Sequence, residues 1–320
     1  MKILVTGGAG FIGSHLVKKI VNEGHKVTVI DNLERGTLDN LPIHKIKVFN
    51  RDLRDYKACK TIFKRQDIVI HLASKVGGIG TYLSKPYEIL SSNMEIDSNV
   101  LKLVLENKIK KYFYASSAHV YPKELQTSPD SLPILENDVY PANPELSYGW
   151  AKLVGEKAIE AAIQENSWLQ ASIARFIGVY GPDQDFNLST GSVIPVFCHR
   201  AIKYPEIDFE AWGNGKETRS YCFVNDVLHC IEKMVNQNKP LAGPYNVGSD
   251  IRISISQIAE LIKKISKKDI DIKWDTNKKT VIWGQVCDCS LVKKELSWEA
   301  TTNLEEGLKS VYKNIKSKLL

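Results

Sequence analysis

Short apolar runs alternate with segments of helical spacing along the first half of the chain. Residues 2–6 and 26–30 are typical of buried strands, and residues 11–22 between them repeat apolar positions with the period of a helix. The predicted strands are residues 2–6, 26–30, 46–49, 67–71, 111–115 and 170–176, and the predicted helices are residues 11–22, 56–64, 86–107 and 146–165. Strands that alternate with helices favour an α/β fold with a doubly wound parallel sheet covered on both faces.

The pattern changes after Phe176, where the chain becomes rich in turns. Residues 181–183 and 188–192 carry turn-forming side chains, and Gly213-Asn214-Gly215 is typical of a β-hairpin. Later helices are predicted at residues 256–264 and 304–316. We expect residues 1–176 to form one domain, with returning segments near 219–248, and residues 177–320 to form mainly a smaller lobe.

Composition excludes several classes of protein. The chain has 320 residues, of which 43% are hydrophobic and 25% charged, as in an ordinary soluble globular protein. No apolar run reaches the length of a membrane span, and residues 2–5 enter a strand rather than a signal peptide, so we expect a cytoplasmic protein. The net charge of +6 includes lysine clusters such as residues 263–268, which are typical of a solvated face. The aromatic residues form no nucleic-acid module, so we expect no nucleic acid to bind.

The six cysteines do not indicate a disulfide framework in a chain of this length, and reduced thiols are the simpler interpretation. Cys287 and Cys289 have a single residue between them, and no second cluster of Cys or His accompanies them. We therefore expect no metal site.

Three glycines follow the first predicted strand and open the first predicted helix. Gly7 allows a tight turn, Gly10 lets the backbone approach a diphosphate, and Gly13 allows close packing of helix and strand. The positive end of the helix would then face the phosphates. Strand, glycines and helix in this order predict a dinucleotide site.

Asp31 ends the second predicted strand and selects between dinucleotides. A carboxylate there accepts hydrogen bonds from a ribose 2′-hydroxyl and repels a 2′-phosphate, so NAD is favoured over NADP. Arg35 could serve a phosphate, but solvation at the surface is the favoured interpretation. Asp52 and Leu53 follow the next strand, where they could flank an adenine or cap a helix, and the residues leave both alternatives open.

Tyr148 and Lys152 lie one helical turn apart, downstream of Ser116-Ser117-Ala118-His119 at the end of a predicted strand. Alone, such a pair is weak evidence, since most are solvent-exposed. Following a dinucleotide loop and a polar strand end in the same chain, the pair predicts a redox site.

Together these residues resemble the extended short-chain dehydrogenase/reductase superfamily, and within it the nucleotide-sugar epimerases and dehydratases, over nearly the whole chain. The segments 75–80, 116–122 and 192–195 resemble the GDP-fucose synthase branch, and the segments 197–200, 212–220 and 246–249 resemble the GDP-mannose 3,5-epimerase branch more closely. The resemblance implies a Rossmann-type doubly wound parallel sheet with a smaller C-terminal substrate-binding lobe. It also implies a homodimer in which the helices near 86–107 and 146–165 form a four-helix bundle.

The resemblance implies that NAD oxidises a sugar hydroxyl, that the keto sugar is altered, and that the hydride is then returned. Tyr148 would take the hydroxyl proton, Lys152 would stabilise the phenolate, and Ser117 would hydrogen-bond the same hydroxyl. The implied NAD contacts are Gly7, Gly10, Phe11, Ile12, Gly13, Asp31, Asn32, Asp52, Leu53, Leu72, Ala73, Ser74, Asn93, Tyr148 and Lys152. The implied contacts of a nucleotide sugar, with GDP favoured, are Gly77, Gly78, Ser117, His119, Gly178, Val193, Trp212, Lys216, Arg219 and Gln285.

The chain departs from the GDP-mannose 3,5-epimerase branch at several positions. Epimerisation beside a keto group needs a further acid and base, which the resemblance predicts as Cys at position 119 and Lys or His near 192–193. His119 stands at the first, where it titrates near neutrality and either serves as acid or base or bonds a loop. Ser192 and Val193 offer no ionisable replacement.

Other departures concern substrate binding. Gly178 stands where Asn is expected and Gln285 where an Arg for the diphosphate is expected, while Arg219 remains and Lys216 could compensate. Trp212 could stack on a base or fill core beneath the predicted hairpin.

These features favour an NAD-dependent nucleotide-sugar epimerase on a GDP-hexose, similar to the GDP-mannose 3,5-epimerases, with oxidation at C4. The strongest alternative is simple 4-epimerisation, which needs only Ser117, Tyr148 and Lys152. A 4,6-dehydratase is disfavoured because Ala118 and His119 replace an expected acidic pair, and a 4-keto reductase would prefer NADPH. A non-catalytic NAD or nucleotide-sugar sensor is also disfavoured, since binding alone requires none of the three catalytic residues.

Overall fold

The computed structural model describes residues 1–278 and 282–320. Within these residues the strands are β1 (Lys2–Thr6), β2 (Lys26–Asp31), β3 (Lys47–Asn50), β4 (Ile68–His71), β5 (Lys111–Ser117), β6 (Gln170–Phe176), β7 (Val179–Tyr180), β8 (Phe209–Trp212), β9 (Thr218–Arg219), β10 (Cys222–Phe223), β11 (Leu241–Val247), β12 (Ile253–Ser254), β13 (Ile272–Asp275) and β14 (Gly284–Gln285). The helices are α1 (Phe11–Asn22), α2 (Tyr56–Cys59), α3 (Ile79–Ser84), α4 (Pro86–Glu106), α5 (Ser147–Glu165), α6 (Val193–Lys203), α7 (Val224–Val235), α8 (Ile255–Ser266), α9 (Ser290–Leu296) and α10 (Leu304–Leu319).

The central sheet confirms the predicted doubly wound α/β fold. Its strand order in the described chain is β11-β6-β5-β4-β1-β2-β3, and each neighbouring pair is parallel. The strand order reverses direction beside β1, so the loops after β1 and β4 leave the sheet at a common cleft, where α/β proteins bind ligands. The chain also returns to the sheet as β11 beside β6, within the region near 219–248 where returning segments were expected.

Helices cover both faces of the sheet because the strands are apolar on both sides. α4 and α5 pack together on one face, and α1 and α7 pack together on the other. A further apolar cluster lies among α6, α8 and α10, with β8 beside it. No described helix is long and apolar enough to cross a membrane.

Two local predictions are wrong. The helix predicted over 56–64 is α-helical only over Tyr56–Cys59, because the chain turns and reaches a positive φ of 60° at Arg65 before β4. Gly213-Asn214-Gly215 does not close a hairpin: β8 pairs with β13, whereas β9 pairs with β12 and β14. The glycine turn instead links two separate small sheets, and both glycines have positive φ.

Candidate active site

The loop between β1 and α1 is built from close backbone contacts. Gly7 has a φ of 68°, and a Cβ there would lie 2.7 Å from the backbone N of Ala73. A Cβ at Gly13 would lie 2.1 Å from the carbonyl oxygen of Gly7. Gly10 precedes α1 and has no side chain with which to cap it, so the N–H groups of the first turn face the loop without a side-chain cap. This cradle has the open backbone and the positive helix end that a diphosphate requires.

Asp31 lies at the end of β2, where the carboxyl edge of the sheet meets this loop. Its Oδ2 accepts a hydrogen bond from Ala9 N at 3.0 Å and its Oδ1 from Leu33 N at 2.9 Å. Burial raises the pKa of the Asp31 carboxyl above its ordinary value, and these backbone donors oppose the rise. The carboxylate retains lone pairs for a ribose hydroxyl, so loop and carboxylate together fit NAD.

Asp52 is not a helix cap, since α2 is capped by Asp55, whose side chain accepts from Ala58 N. Asp52 instead pairs with Arg54 at 2.7 Å, which lowers the pKa of the Asp52 carboxyl to about 2. It also accepts a bond from Asn32 Nδ2 at 3.4 Å, which places both residues beyond Asp31 on the same loop edge. The next residue, Leu53, is buried in the core.

Arg35 is exposed, as expected for a solvated side chain, but it also contacts two other segments of the chain. Its guanidinium donates to Val76 O at 2.8 Å and pairs with Asp185 at 2.9 Å. Lys75 beside it pairs with Glu34 at 2.7 Å. These contacts tie the loop after β2 to the segment after β4 and to the turn-rich segment near residue 185.

Asn93 on α4 is fully buried and organises the segment after β4, in which Leu72 and Ala73 precede Ser74. Its Oδ1 accepts from Ser74 Oγ at 2.6 Å and from Lys75 N at 2.8 Å, and its Nδ2 donates to Lys75 O and Ile89 O. These bonds position Ser74 beside Tyr148, while direct contact of Asn93 with a cofactor stays a prediction.

Tyr148 lies in the first turn of α5 and is 8% exposed, and Lys152 follows one turn later at 2%. The Lys152 Nζ atom lies 5.9 Å from the centre of the Tyr148 ring. Burial raises the pKa of the Tyr148 phenol well above its ordinary value, although a hydrogen bond with Ser74 opposes the rise. Burial also lowers the pKa of the Lys152 ammonium. The pair is therefore brought together, and added positive charge is needed for the phenol to ionise near neutral pH.

His119 lies beside Tyr148, with ring centres 5.9 Å apart and the rings edge to face. Ser117 ends β5, and its Oγ accepts a hydrogen bond from His119 N at 3.2 Å, so Ser117 caps the turn that carries the imidazole. Burial, with a further contribution from Arg219, lowers the pKa of His119 to about 4. The imidazole is then neutral at pH 7, and its basic nitrogen can accept a proton.

Tyr82 on α3 was not identified from the sequence. Its ring stacks on Tyr148 at 5.3 Å and lies 6.0 Å from the ring of His119, so the three rings form one cluster. Gly77 and Gly78 lie in the loop before α3, and a Cβ at Gly77 would lie 2.5 Å from the side chain of Thr81. No motif marks such a contact, which depends on the path of the loop after β4.

A buried carboxylate behind the pair was missed as well. Asp97 lies in the middle of α4, and its Oδ1 is 3.7 Å from Lys152 Nζ. His71 and Tyr114 also donate to this carboxylate, at 2.9 and 2.5 Å. A mid-helix Asp among polar neighbours gives no sequence signal.

Arg219 and Gln285 are neighbours in the pairing of β9 with β14. Arg219 donates to Thr218 O at 2.8 Å and Ile282 O at 2.9 Å, and burial lowers the pKa of its guanidinium. Gln285 Nε2 lies 3.4 Å from Ala118 O, directly before His119. Both residues therefore reach the region of the ring cluster.

Trp212 does not fill the core, since it is 48% exposed at the end of β8 and Lys278 Nζ lies 5.1 Å from its ring centre. Lys216 is exposed on the turn that follows. Base stacking by Trp212 stays a prediction.

The remaining expected substrate positions lie on backbone turns. Gly178 has a φ of 51°, and a Cβ there would lie 2.1 Å from Ser220 O, which explains why no side chain is present. Val193 is the first residue of α6, and the preceding Ser192 Oγ accepts a bond from Gln184 Nε2 at 3.0 Å. In the described part of the chain, no group of three or more His, Cys, Asp or Glu side chains could hold a metal ion.

Comparisons with known proteins agree with this geometry. A sequence profile of the NAD dependent epimerase/dehydratase family matches residues 3–248. Over its whole length the chain is 31% identical to GDP-mannose 3,5-epimerase of Arabidopsis thaliana and covers 83% of it. It is 29% identical, over 96% of its length, to UDP-glucuronic acid decarboxylase 1 of Xenopus tropicalis and covers 70% of that protein.

A solved structure agrees over the complete chain. UDP-glucose 4-epimerase of Thermotoga maritima, determined with UDP-glucose, matches with a TM-score of 0.91 at 27% identity, and both chains are covered completely. The resemblance drawn from the sequence and the Rossmann-type fold are thus confirmed. The chain belongs to the NAD dependent epimerase/dehydratase family and is an enzyme whose cofactor is NAD.

Proposed function

We propose that the protein is an epimerase of a GDP-hexose that acts through transient oxidation at C4, similar to the GDP-mannose 3,5-epimerases. One observation carries the proposal: the ring centre of Tyr148 lies 5.9 Å from the ammonium of Lys152 and 5.9 Å from the ring centre of His119. Tyr148, with Lys152 beside it, suits removal of a hydroxyl proton, and His119 suits removal of a proton from carbon. The whole-length similarity to a GDP-mannose 3,5-epimerase supports the same activity.

The residues divide the work as follows. Tyr148 takes the proton of the C4 hydroxyl at its phenol oxygen, and Lys152 stabilises the phenolate by its charge. Bound NAD supplies the acceptor for the hydride and later returns it. Ser117, at the end of β5, orients the hydroxyl. His119 accepts a proton from the carbon next to the ketone; its pKa of about 4 keeps it neutral at pH 7 but makes it a weaker base than the near-neutral titration expected from the sequence.

NAD is held by the cradle between β1 and α1. The backbone of Gly7, Gly10 and Gly13 admits the diphosphate, and Asp31 accepts bonds from the adenosine ribose. This division of roles supports the expected domains, with residues 1–176 and the returning segments near 219–248 binding NAD and residues 177–320 binding mainly the sugar nucleotide.

A GDP group is favoured by the segment 212–220, in which exposed Trp212 offers a ring face and Arg219 a guanidinium for phosphate. Arg219 already donates to two backbone carbonyls, so it presents its remaining N–H groups in a fixed orientation. Lys216, exposed on the turn before β9, adds a positive charge to the same segment, whereas Gln285 stands where an arginine was expected.

A nucleotide-sugar 4-epimerase is the second candidate. Ser192 and Val193 begin α6 without an ionisable side chain, and 4-epimerisation needs no second acid or base. The Thermotoga maritima protein with the same fold is a UDP-glucose 4-epimerase.

Incubation with GDP-mannose and other nucleotide sugars in D₂O, followed by NMR, distinguishes these activities. Deuterium at C3 or C5 supports the proposed epimerase, and inversion at C4 without deuterium supports the second candidate. Reaction with UDP- or dTDP-sugars alone would contradict the GDP assignment. Tyr148→Phe is the control, and unchanged turnover in that variant would contradict the redox role of Tyr148.

We also propose a homodimer formed through α4 and α5. These helices pack together, and their outer face leaves apolar side chains exposed: Tyr87 at 81%, Met94 at 41%, Trp150 at 39% and Val154 at 45%. Sedimentation of Trp150→Glu should then show a monomer where the unmodified protein shows a dimer.

A further inference from the structure

Asp97 places a buried negative charge directly behind the catalytic pair. It is 6% exposed, and its Oδ1 lies 3.7 Å from the Nζ of Lys152. The only other carboxylate that acts on Lys152 in the described chain is Glu156, one turn further along α5. Glu156 already pairs with Arg175 at 2.7 Å and accepts a bond from Ser116 at 2.5 Å. Asp97 is therefore the counter-ion available to Lys152.

A line of hydrogen bonds holds the Asp97 carboxylate in place. His71 Nε2 lies 2.9 Å from Asp97 Oδ1, and His71 Nδ1 lies 2.6 Å from Thr6 Oγ1. Because a carboxylate only accepts, Nε2 carries the proton and Nδ1 accepts from the Thr6 hydroxyl. Thr6 Oγ1 in turn accepts from Ala73 N at 3.4 Å. The hydrogen-bond network therefore runs from Ala73 and Thr6, after β4 and at the end of β1, to Lys152 on α5.

Asp97 remains ionised within this network. Burial alone would raise the pKa of its carboxyl, but Lys152, His71 and the Tyr114 hydroxyl favour the charged form more strongly, and the net pKa lies below the ordinary value. Burial lowers the pKa of His71, so the imidazole is neutral. Asp97 and Lys152 then carry opposite charges 3.7 Å apart, so the carboxylate offsets part of the field of the ammonium.

The charge of Asp97 affects the pKa of Tyr148. The negative charge of Asp97 adds to burial in raising the pKa of the phenol, and only the hydrogen bond with Ser74 opposes it among the described groups that act on it. His119, whose ring centre lies 5.9 Å from that of Tyr148, is neutral at pH 7 because its pKa is about 4. Among the described groups, Lys152 is therefore the positive charge behind Tyr148, and Asp97 offsets part of it.

We propose that Asp97 is a positioning residue that offsets part of the charge of Lys152, so that ionisation of Tyr148 also requires the positive charge of the oxidised cofactor. With the oxidised ring bound, the phenol can lose its proton. With the reduced, neutral ring bound, it keeps the proton, as the return of the hydride requires. This inference rests on the role of Tyr148 in the proposed function.

The expected effect is large enough to measure. Asp97 Oδ1 is 3.7 Å from Lys152 Nζ, which is 5.9 Å from the Tyr148 ring centre, so the carboxylate lies within about 10 Å of the phenol. At an effective dielectric constant of about 20, a unit charge at that separation shifts a pKa by about one unit.

The test compares two neutral variants, Asp97→Asn and Asp97→Thr, with Tyr114→Phe. The last removes a hydrogen bond to the same carboxylate but leaves its charge. The first measurement is the ultraviolet titration of tyrosinate in the NAD-saturated protein, taken as the difference from the same variant carrying Tyr148→Phe. The second is the ratio of the dissociation constants for NAD and NADH. Neither measurement requires a known sugar substrate.

Both neutral variants should ionise Tyr148 about one pH unit lower and bind NAD about tenfold more weakly relative to NADH, because Lys152 is left uncompensated. Tyr114→Phe should change neither quantity. An unchanged or raised midpoint, an unchanged ratio, or an equal shift in Tyr114→Phe would overturn the proposal. A protein that titrates as expected but turns over no nucleotide sugar contradicts the proposed function and leaves this inference standing.

Discussion

Gly149 follows Tyr148, the proposed catalytic residue, and allows α5 to touch the turn that carries His119. A Cβ at this position would lie 1.9 Å from the carbonyl oxygen of His119 and 2.9 Å from the Cβ of Pro144. The first contact is with backbone, so no side-chain rotation relieves it. Gly149→Ala therefore forces α5 and the His119 turn apart.

The magnitude follows from these distances. The two backbones must separate by about 1 Å before the contact reaches 3.0 Å. Overpacking of this kind costs about 1–3 kcal/mol, and a rigid backbone contact belongs at the upper end. Alanine recovers up to about 1 kcal/mol through its higher helix propensity. We expect a net loss of about 2 kcal/mol in the free energy of unfolding.

The turnover rate of Gly149→Ala should also fall, beyond what its lower free energy of unfolding would cause. Tyr148 precedes Gly149, and His119 carries the carbonyl that is displaced, so the same movement separates the two groups that we propose to react. A misplacement of about 1 Å costs roughly 100-fold in rate. The assay is turnover of the nucleotide sugar identified by NMR, together with urea denaturation of the same preparation.

Gly80→Ala is the matched control for stability, because it adds the same methyl group to α3, where no described heavy atom lies within 4 Å of the new Cβ. Its free energy of unfolding should not fall. If Gly149→Ala kept full turnover and full stability, the contact between α5 and the His119 turn would not exist in the folded protein, and the proposed pairing of Tyr148 with His119 would fail with it.

Three further predictions concern charge. The unfolded chain binds a proton at His119 near pH 6.5 and the folded chain only near pH 4, so stability falls as pH drops through this window. Between pH 7 and pH 4.5, the free energy of unfolding of His119→Gln should fall by about 2 kcal/mol less than that of the unmodified protein, as measured by urea denaturation. Equal losses would contradict a neutral imidazole in the folded protein. Glu156→Gln should cost about 3 kcal/mol or more, because it leaves the fully buried Arg175 without its carboxylate. The double variant Glu156→Leu/Arg175→Met should recover much of that loss in the same assay, and a double variant as unstable as the single one would refute this account. Asp31→Asn should weaken NAD roughly tenfold and reduce the preference over NADP in direct binding measurements, whereas an unchanged preference would exclude Asp31 as the selecting residue.

Several parts of the site could be predicted because they are local in sequence. Tyr148 and Lys152 share a helix face at a spacing of one turn, and the three glycines stand between a strand and a helix whose bounds match the prediction for β1 and α1. The hairpin at Gly213-Asn214-Gly215 failed for the converse reason. A turn signal marks where the chain bends but not which strands pair beside it.

The sequence by itself determined the alternation of strands and helices, the dinucleotide loop and the family, because periodicity and short motifs depend on neighbours along the chain. Only the tertiary structure placed Tyr82 over Tyr148 and Asp97 behind Lys152. These contacts join residues from different helices at the carboxyl edge of one sheet. Charge and burial at such an edge are set by packing between distant segments. This packing raises the pKa of Tyr148 and lowers the pKa values of Lys152 and His119 relative to their ordinary values, which the sequence alone does not reveal.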